Sequence, residues 1–237
     1  MPSVEVCFSP ALYSLFHDDG KTVVIADILR ATSAIVTGLY HGVEKIIPVK
    51  TIEEAQQWKE KGFFAAAERE GLVAEGFDMG NSPFSYMKPE LEGKTIVLTT
   101  TNGTKAIMAA KNCKQILIGS FLNLIATAEY LAKDQNDVLI LCAGWKDRFN
   151  LEDTLYAGAL TKQLTDLYGF SNACDSAIAS VYLYNLARHN MMNFLETSSH
   201  RNRLHHLNLD RDVEYCLTEN ICPIVVKYTN GYIQKWE

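Results

Sequence analysis

Residues 23–39, VVIADILRATSAIVTGL, open with an apolar, β-branched run and pass through a polar turn at Asp27 to Arg30. They continue with apolar residues at helical spacing. The plan recurs at 95–110, TIVLTTTNGTKAIMAA, and at 138–160, VLILCAGWKDRFNLEDTLYAGAL. Strand, turn and helix in repetition predict an α/β architecture. In such sheets ligands sit beyond the carboxyl ends of strands, where helix starts present unpaired N–H groups.

Working outward, strands are expected at 4–8, 22–26, 45–49, 95–100, 115–118 and 137–142. Thr51 and Glu54 form a capping box for a helix that Gly62 ends. Asn150 with Asp153 starts a helix running to Gly169, and a further long helix is expected over 172–195. Near the end, 224–228 and 232–235 flank Thr229-Asn230-Gly231, a hairpin signal that makes the sheet mixed. The expected fold is therefore a layered α/β sandwich with a mixed sheet and a C-terminal β-hairpin. Residues 68–92 lack periodicity, and a loop that long in a compact chain is more often functional than idle. With no repeat and no Pro/Ser-rich linker, 1–237 reads as one domain or as two intimate lobes.

Composition narrows the function classes. A 48% hydrophobic content with 14 Gly and 6 Pro excludes disordered and collagen-like chains. Lys and Arg number 22 against 28 Asp and Glu, a formal charge of −6, which argues against nucleic acid or an anionic membrane as partner. No apolar run is long enough to cross a bilayer, and MPSVEVCFSP lacks the features of a secretory signal. The six cysteines, at 7, 113, 142, 174, 216 and 222, form no C-x-x-C pair and read as reduced thiols of a cytoplasmic protein.

The three turns hold Asp27, Arg30 and Thr32; then Thr100, Thr101, Asn102, Gly103 and Thr104; then Gly144, Lys146, Arg148, Glu152 and Asp153. Hydroxyls, glycines and cations beside helix starts suit a phosphate or carboxylate, and carboxylates among them suit a cation. The same residue types are also ordinary turn and N-cap residues. No G-x-x-x-x-G-K-[ST] or G-x-G-x-x-G occurs, and Leu29 breaks an Asp-x-Asp-x-Thr phosphatase motif. The histidines show no H-x-x-x-H zinc spacing, and His205-His206 read as surface residues of a helix. Cys142 and Arg148 stand in the C-x5-R spacing of thiol phosphatases, against which stand Phe149 and the apolar run that Cys142 ends.

DILRAT (27–32), AEREG (67–71), EGFDMGNSP (75–83) and TTTNGT (99–104), followed by GSFLN (119–123), CAG (142–144) and FNLEDT (149–154), resemble the 2-phosphosulfolactate phosphatase (ComB) family. The similarity runs in order from about residue 22 to 160. It implies an α/β fold of the family's own. It also implies Mg²⁺-dependent hydrolysis of a phosphate monoester on a small 2-hydroxy acid, yielding sulfolactate in coenzyme M biosynthesis. Two places depart from the family pattern: the bulky turn Trp145-Lys146-Asp147, and SSHRNRL (198–204), which lacks an expected glycine.

On this resemblance Asp27 is expected as a metal ligand, with Glu68 or Asp153 as further ligands or the acid/base group. Arg30 and Arg69 would grip a dianionic phosphorylated acid. Thr32, Asn81, Ser82, Thr101, Asn102, Gly103, Thr104 and Gly144 would complete the phosphate and substrate contacts. Mg²⁺ suits isolated carboxylates in separate turns. Alternatives are a non-catalytic phosphometabolite-binding protein and a metal-free Cys142/Arg148 thiol phosphatase. A homodimer is the commonest assembly for a soluble enzyme.

Overall fold

The strand Thr22–Ala26 is buried at all five positions, as a central parallel strand covered on both faces must be. The computed structural model describes residues 1–16, 20–100 and 102–236. In chain order the elements begin with β1 (Ser3–Cys7), β2 (Thr22–Ala26), α1 (Ala31–Tyr40), β3 (Lys45–Pro48), α2 (Ile52–Glu60), β4 (Phe64–Arg69), β5 (Leu72–Val73) and β6 (Thr95–Thr99). They continue with α3 (Gly103–Ala109), β7 (Gln115–Gly119), α4 (Leu124–Asp134), β8 (Val138–Cys142), α5 (Leu151–Tyr168), β9 (Ser171–Asn172) and α6 (Asp175–Ala187). The last are α7 (Met191–Phe194), α8 (Ser199–His206), α9 (Asp210–Cys216), β10 (Val225–Thr229) and β11 (Tyr232–Trp236).

The strands form one mixed sheet in the order β5-β4-β6-β3-β11-β10-β7-β2-β8-β1-β9. Parallel pairing joins β4, β6 and β3 in one group, and β7, β2, β8, β1 and β9 in the other. The antiparallel hairpin β10–β11 lies between them, with Asn230 and Gly231 at positive φ in its turn. The two groups thus run in opposite senses. Sheets of this kind twist by roughly 20–25° per strand step.

Alternation along β2 separates two cores. Val24 and Ala26 pack with Ile140, Leu131 of α4, Leu155 and Leu160 of α5, and Ala177 of α6. Val23 and Ile25 pack with Ile35 and Leu39 of α1 and Ile107 of α3, together with Ile46, Ile96 and Leu98 from the other parallel group. Each Val, Leu or Ile side chain so withdrawn from water contributes about 1.5–3 kcal/mol. The helices α5 and α6 approach closely at Gly158, where an added Cβ would lie 2.0 Å from the Ser180 carbonyl oxygen. Among the described residues no helix is long and apolar enough to cross a membrane.

The helix expected over 172–195 is broken. Ser171 and Asn172 pair with Ser3 and Val4 as an edge strand, and Asn190 caps a new short helix through the Asn193 N–H. The stretch 68–92 is also less irregular than its lack of period suggests. Its first residues complete β4, β5 pairs back on them, and 3₁₀ turns follow at Pro83–Tyr86 and Pro89–Leu91.

Candidate active site

A cavity of about 700 Å³ opens where the carboxyl ends of β2, β4, β6 and β8 meet α8. Asp27, just beyond β2, lines it. Thr32 locks that turn: its N–H donates to the Asp27 carbonyl at 2.9 Å, and its hydroxyl accepts from the Asp27 N–H at 3.2 Å. The Thr32 side chain serves the turn and does not line the cavity. The Gly103 amide lies close enough to Asp27 to favour its ionised form, and a Cβ at Gly103 would stand 3.0 Å from Asp27 Oδ2, so the approach needs a small residue. Burial pushes the Asp27 carboxyl up to about 7, with Glu68 and Glu152 adding to the rise while His200 and the Gly103 amide oppose it.

Asp153 knits two turns together. Its Oδ1 accepts from the Ile28 N–H at 2.8 Å, and its Oδ2 from the Gly144 N–H at 3.1 Å and the Asn150 amide at 2.9 Å. It is fully buried, and burial raises it well above the usual carboxylate range, with Asp27 and Glu152 adding. Gly144 has φ +63, and a Cβ there would sit 2.4 Å from the Arg148 carbonyl oxygen. It stays in the turn, away from the cavity lining. The chain then reverses through Trp145 to Arg148, with Lys146 and Asp147 both at positive φ, as in a type I′ turn. That reversal presents Trp145 and Lys146 to the cavity.

From β4, Glu68 lines the cavity, its Oε1 accepting from the Gly71 N–H at 2.5 Å and its Oε2 from the Asn81 amide at 3.3 Å. Asn81 Oδ1 is buried with no partner among the described residues. Arg69 lies on the exposed rim, its Nη1 donating to the Glu68 carbonyl. Arg30 is buried in the wall, Nη1 donating to Asp212 Oδ2 at 2.9 Å and Nη2 to the Gly71 carbonyl at 2.6 Å. Ser82 donates to the other Asp212 oxygen at 3.1 Å, outside the lining. Of the turn after β6, Thr100 and Asn102 line the cavity, whereas Thr104 hydrogen-bonds back to Thr100 and faces away. Thr101 falls outside the described residues.

A family model described as 2-phosphosulpholactate phosphatase matches residues 8–231. The chain belongs to that family. This places it among the phosphoric monoester hydrolases. Relatives named "Probable 2-phosphosulfolactate phosphatase" include one from Thermotoga petrophila, 44% identical over 89% of this chain and 90% of its own. Others come from Caldanaerobacter subterraneus subsp. tengcongensis, 38% identical over 90% of each chain, and Clostridium acetobutylicum, 40% identical over 90% of this chain and 92% of its own.

Within this phosphatase family member the thiolate arrangement finds no support. Cys142 is fully buried at the end of β8 and lines no part of the cavity. Burial pushes its thiol well above the ordinary value, and Asp153, Cys7 and Glu152 push it further. A thiol held protonated is a poor nucleophile.

A hard divalent cation fits the donor set. Among the described residues no three His, Cys, Asp or Glu side chains form an all-protein metal cage. Mg²⁺ needs only one or two carboxylates beside water and substrate oxygens. Asp27 and Glu68 could supply those carboxylates, with the unpartnered Asn81 Oδ1 beside Glu68.

Three residues that sequence reasoning left out of the site complete its surroundings, His200, Arg203 and Asp212, and Glu152 of the third turn joins them. His200 and Arg203 line the cavity from α8. His200 Nδ1 lies 2.6 Å from Glu152 Oε1. The clue that could have found α8 was the departure at 198–204 from the family pattern.

Proposed function

We propose that this chain is a cytoplasmic Mg²⁺-dependent phosphatase that hydrolyses 2-phosphosulfolactate, or a closely related small 2-phospho-hydroxy acid, to the hydroxy acid and phosphate. With sulfolactate as product, it would serve coenzyme M biosynthesis. The observation that carries the reading is the gathering of Asp27, Glu68 and Asn102 with Arg30, Arg69, Lys146 and Arg203 around one cavity, in a chain matched to the family over 8–231. Free thiols at Cys7, Cys142, Cys174, Cys216 and Cys222 are consistent with a reducing compartment.

Asp27 and Glu68 would hold Mg²⁺, which when bound neutralises charge on the phosphoryl oxygens. Asn102 offers a neutral donor to the same phosphoryl group from the cavity lining. The cations on the rim, Arg69, Lys146 and Arg203, face the second anionic group of the substrate. Arg30 lends positive potential from the wall while tied to Asp212. Asp153 binds no substrate; it keeps the turns after β2 and β8 in register.

The test is phosphate release from 2-phosphosulfolactate, 2-phospholactate and 2-phosphoglycolate, with Mg²⁺ and after exhaustive chelation. Mg²⁺-dependent release at enzyme-like turnover from at least one of them is expected. No release from any would overturn the reading, and undiminished release after chelation would overturn its metal.

A further inference from the structure

We propose that His200, oriented by Glu152, gives its Nε2 proton to the substrate oxygen that leaves phosphorus. The proposal deepens the phosphomonoesterase reading and rests on it. A 2-hydroxy acid departs as an alkoxide, a strong base, and in a loose phosphoryl-transfer transition state the leaving oxygen carries much of the developing charge. A positioned acid at that oxygen contributes typically 10²- to 10⁴-fold.

The described cavity lining offers few candidates for that acid. Arginine cannot surrender a proton at working pH, which removes Arg30, Arg69 and Arg203. Glu68 accepts hydrogen bonds at both oxygens. Asp27 is assigned to the cation. Lys146 lies exposed on the turn, its ammonium 4.7 Å above the Trp145 ring. Glu70 and His206 are exposed at the rim. His200 differs from all of these. Its side chain is 11% exposed and that of Glu152 1%, and the Nδ1–Oε1 distance is 2.6 Å. The step uses the doubly protonated ring, in which Nδ1 donates to Glu152 and Nε2 carries the proton to be given.

The second oxygen of Glu152 is buried without a partner among the described residues, so His200 is the one group seen to compensate that carboxylate. An ion pair taken out of water in this way is weak evidence of a stabilising role. Glu152 also stands in the first turn of α5 beside Asp153, which is bonded to the turn that carries Asp27. The imidazole is therefore held in fixed relation to the carboxylates of the cavity.

The step balances. As a water oxygen bonds to phosphorus, the bond to the substrate oxygen breaks and its electron pair stays on that oxygen, which takes the Nε2 proton. The proton shed by the attacking water returns to the imidazole, leaving alcohol and hydrogen phosphate.

The experiment compares full-length wild type with His200→Gln and Glu152→Gln on two kinds of ester: a 2-phospho acid, and 4-nitrophenyl phosphate or acetyl phosphate, whose leaving groups need no proton. For His200→Gln, kcat on the 2-phospho acid should fall roughly 10²- to 10⁴-fold with KM little changed, and far less on the activated ester. Glu152→Gln should show the same selectivity with a smaller loss. Imidazole added to His200→Ala should restore part of the lost rate. Equal losses on both esters, no loss on either, or absence of rescue would overturn the assignment. If His200→Gln does not fold, His200→Asn serves in its place. If the wild type ignores both activated esters, the rescue decides. A wild type inactive on every ester would fail the hydrolase reading itself, whereas an active wild type with equal losses fails only His200.

Discussion

Arg30 and Asp212 stand 182 positions apart in the sequence, and their side chains meet at 2.9 Å in a buried ion pair. The pair joins the start of α1 to α9, and through the Gly71 carbonyl and Ser82 it also fastens the segment that carries Glu68. Arg30 is thus a strut of the cavity wall before it is an anion grip. Asp212→Ala should lower unfolding free energy by about 3–5 kcal/mol, because a buried guanidinium would lose its counter-charge. Urea denaturation measures this, and a change under about 1 kcal/mol would show the pair to be as weak as a surface one.

Among the described residues Arg69, at the rim, has a backbone carbonyl as its one hydrogen-bond acceptor, so its guanidinium has donors to spare. Arg69→Lys should raise KM for a 2-phospho acid about ten- to a hundredfold, the worth of one charge-assisted contact, and matter much less for an uncharged phosphate ester. Steady-state kinetics on both esters decide, and equal effects would separate Arg69 from the second anion.

Cys142→Ser is expected to keep turnover within a few-fold of wild type while lowering stability by about 1–3 kcal/mol, since a hydroxyl replaces a thiol in an apolar strand end. Activity and a denaturation curve together test it. Inactivation with the fold intact would revive a thiolate mechanism.

The raised carboxyl of Asp27 has a sign that can be checked. Its folded value of about 7 lies above its ordinary 3.8, so the folded chain keeps a proton that the unfolded chain releases between those limits. The stabilisation from this group is full below about pH 3.8 and is lost as pH rises toward 7. Compared with Asp27→Asn, wild type without added metal should therefore lose relative stability between pH 4 and 7. Mg²⁺ should restore it at the upper end. Thermal melts of both proteins across that range, with and without Mg²⁺, are the measurement; parallel curves would refute the linkage.

Gly158→Ala drives a methyl group against the Ser180 carbonyl oxygen and must push α5 and α6 apart. Overpacking of this kind costs typically 1–3 kcal/mol. A lowered melting temperature with near-normal kinetics is expected, because Gly158 is away from the cavity lining.

Much of the fold was legible because it is written locally. The β-branched runs at 22–26 and 115–118 and the Asn230-Gly231 turn each carry their own signal. The strand at 64–69, FAAAER, carries a weaker local signal, because alanine has little β propensity and its pairing with β6 is decided by tertiary packing. The break near residue 188 escaped because Ala187 and Met191 keep a helical pattern across a stop set by Asn190. At the site, the candidates just after strands reached the cavity where their turn left a side chain free, as with Asp27 and Asn102. Thr32 and Thr104 instead satisfy the backbone of their own turns. His200 and Asp212 left no local mark: they meet their partners, Glu152 and Arg30, across 48 and 182 residues of chain.

The hairpin β10–β11 gives the sheet an order of assembly. A ribosome releases residues 225–236 only after every strand on either side of them has emerged. Until then β3 and β7, whose Ile46 and Leu117 will face Ile233 and Lys227, present open edges to whatever other strands are near. The nascent chain must wait with two incomplete half-sheets, and its exposure to misassociation ends only when the last two strands slot between them.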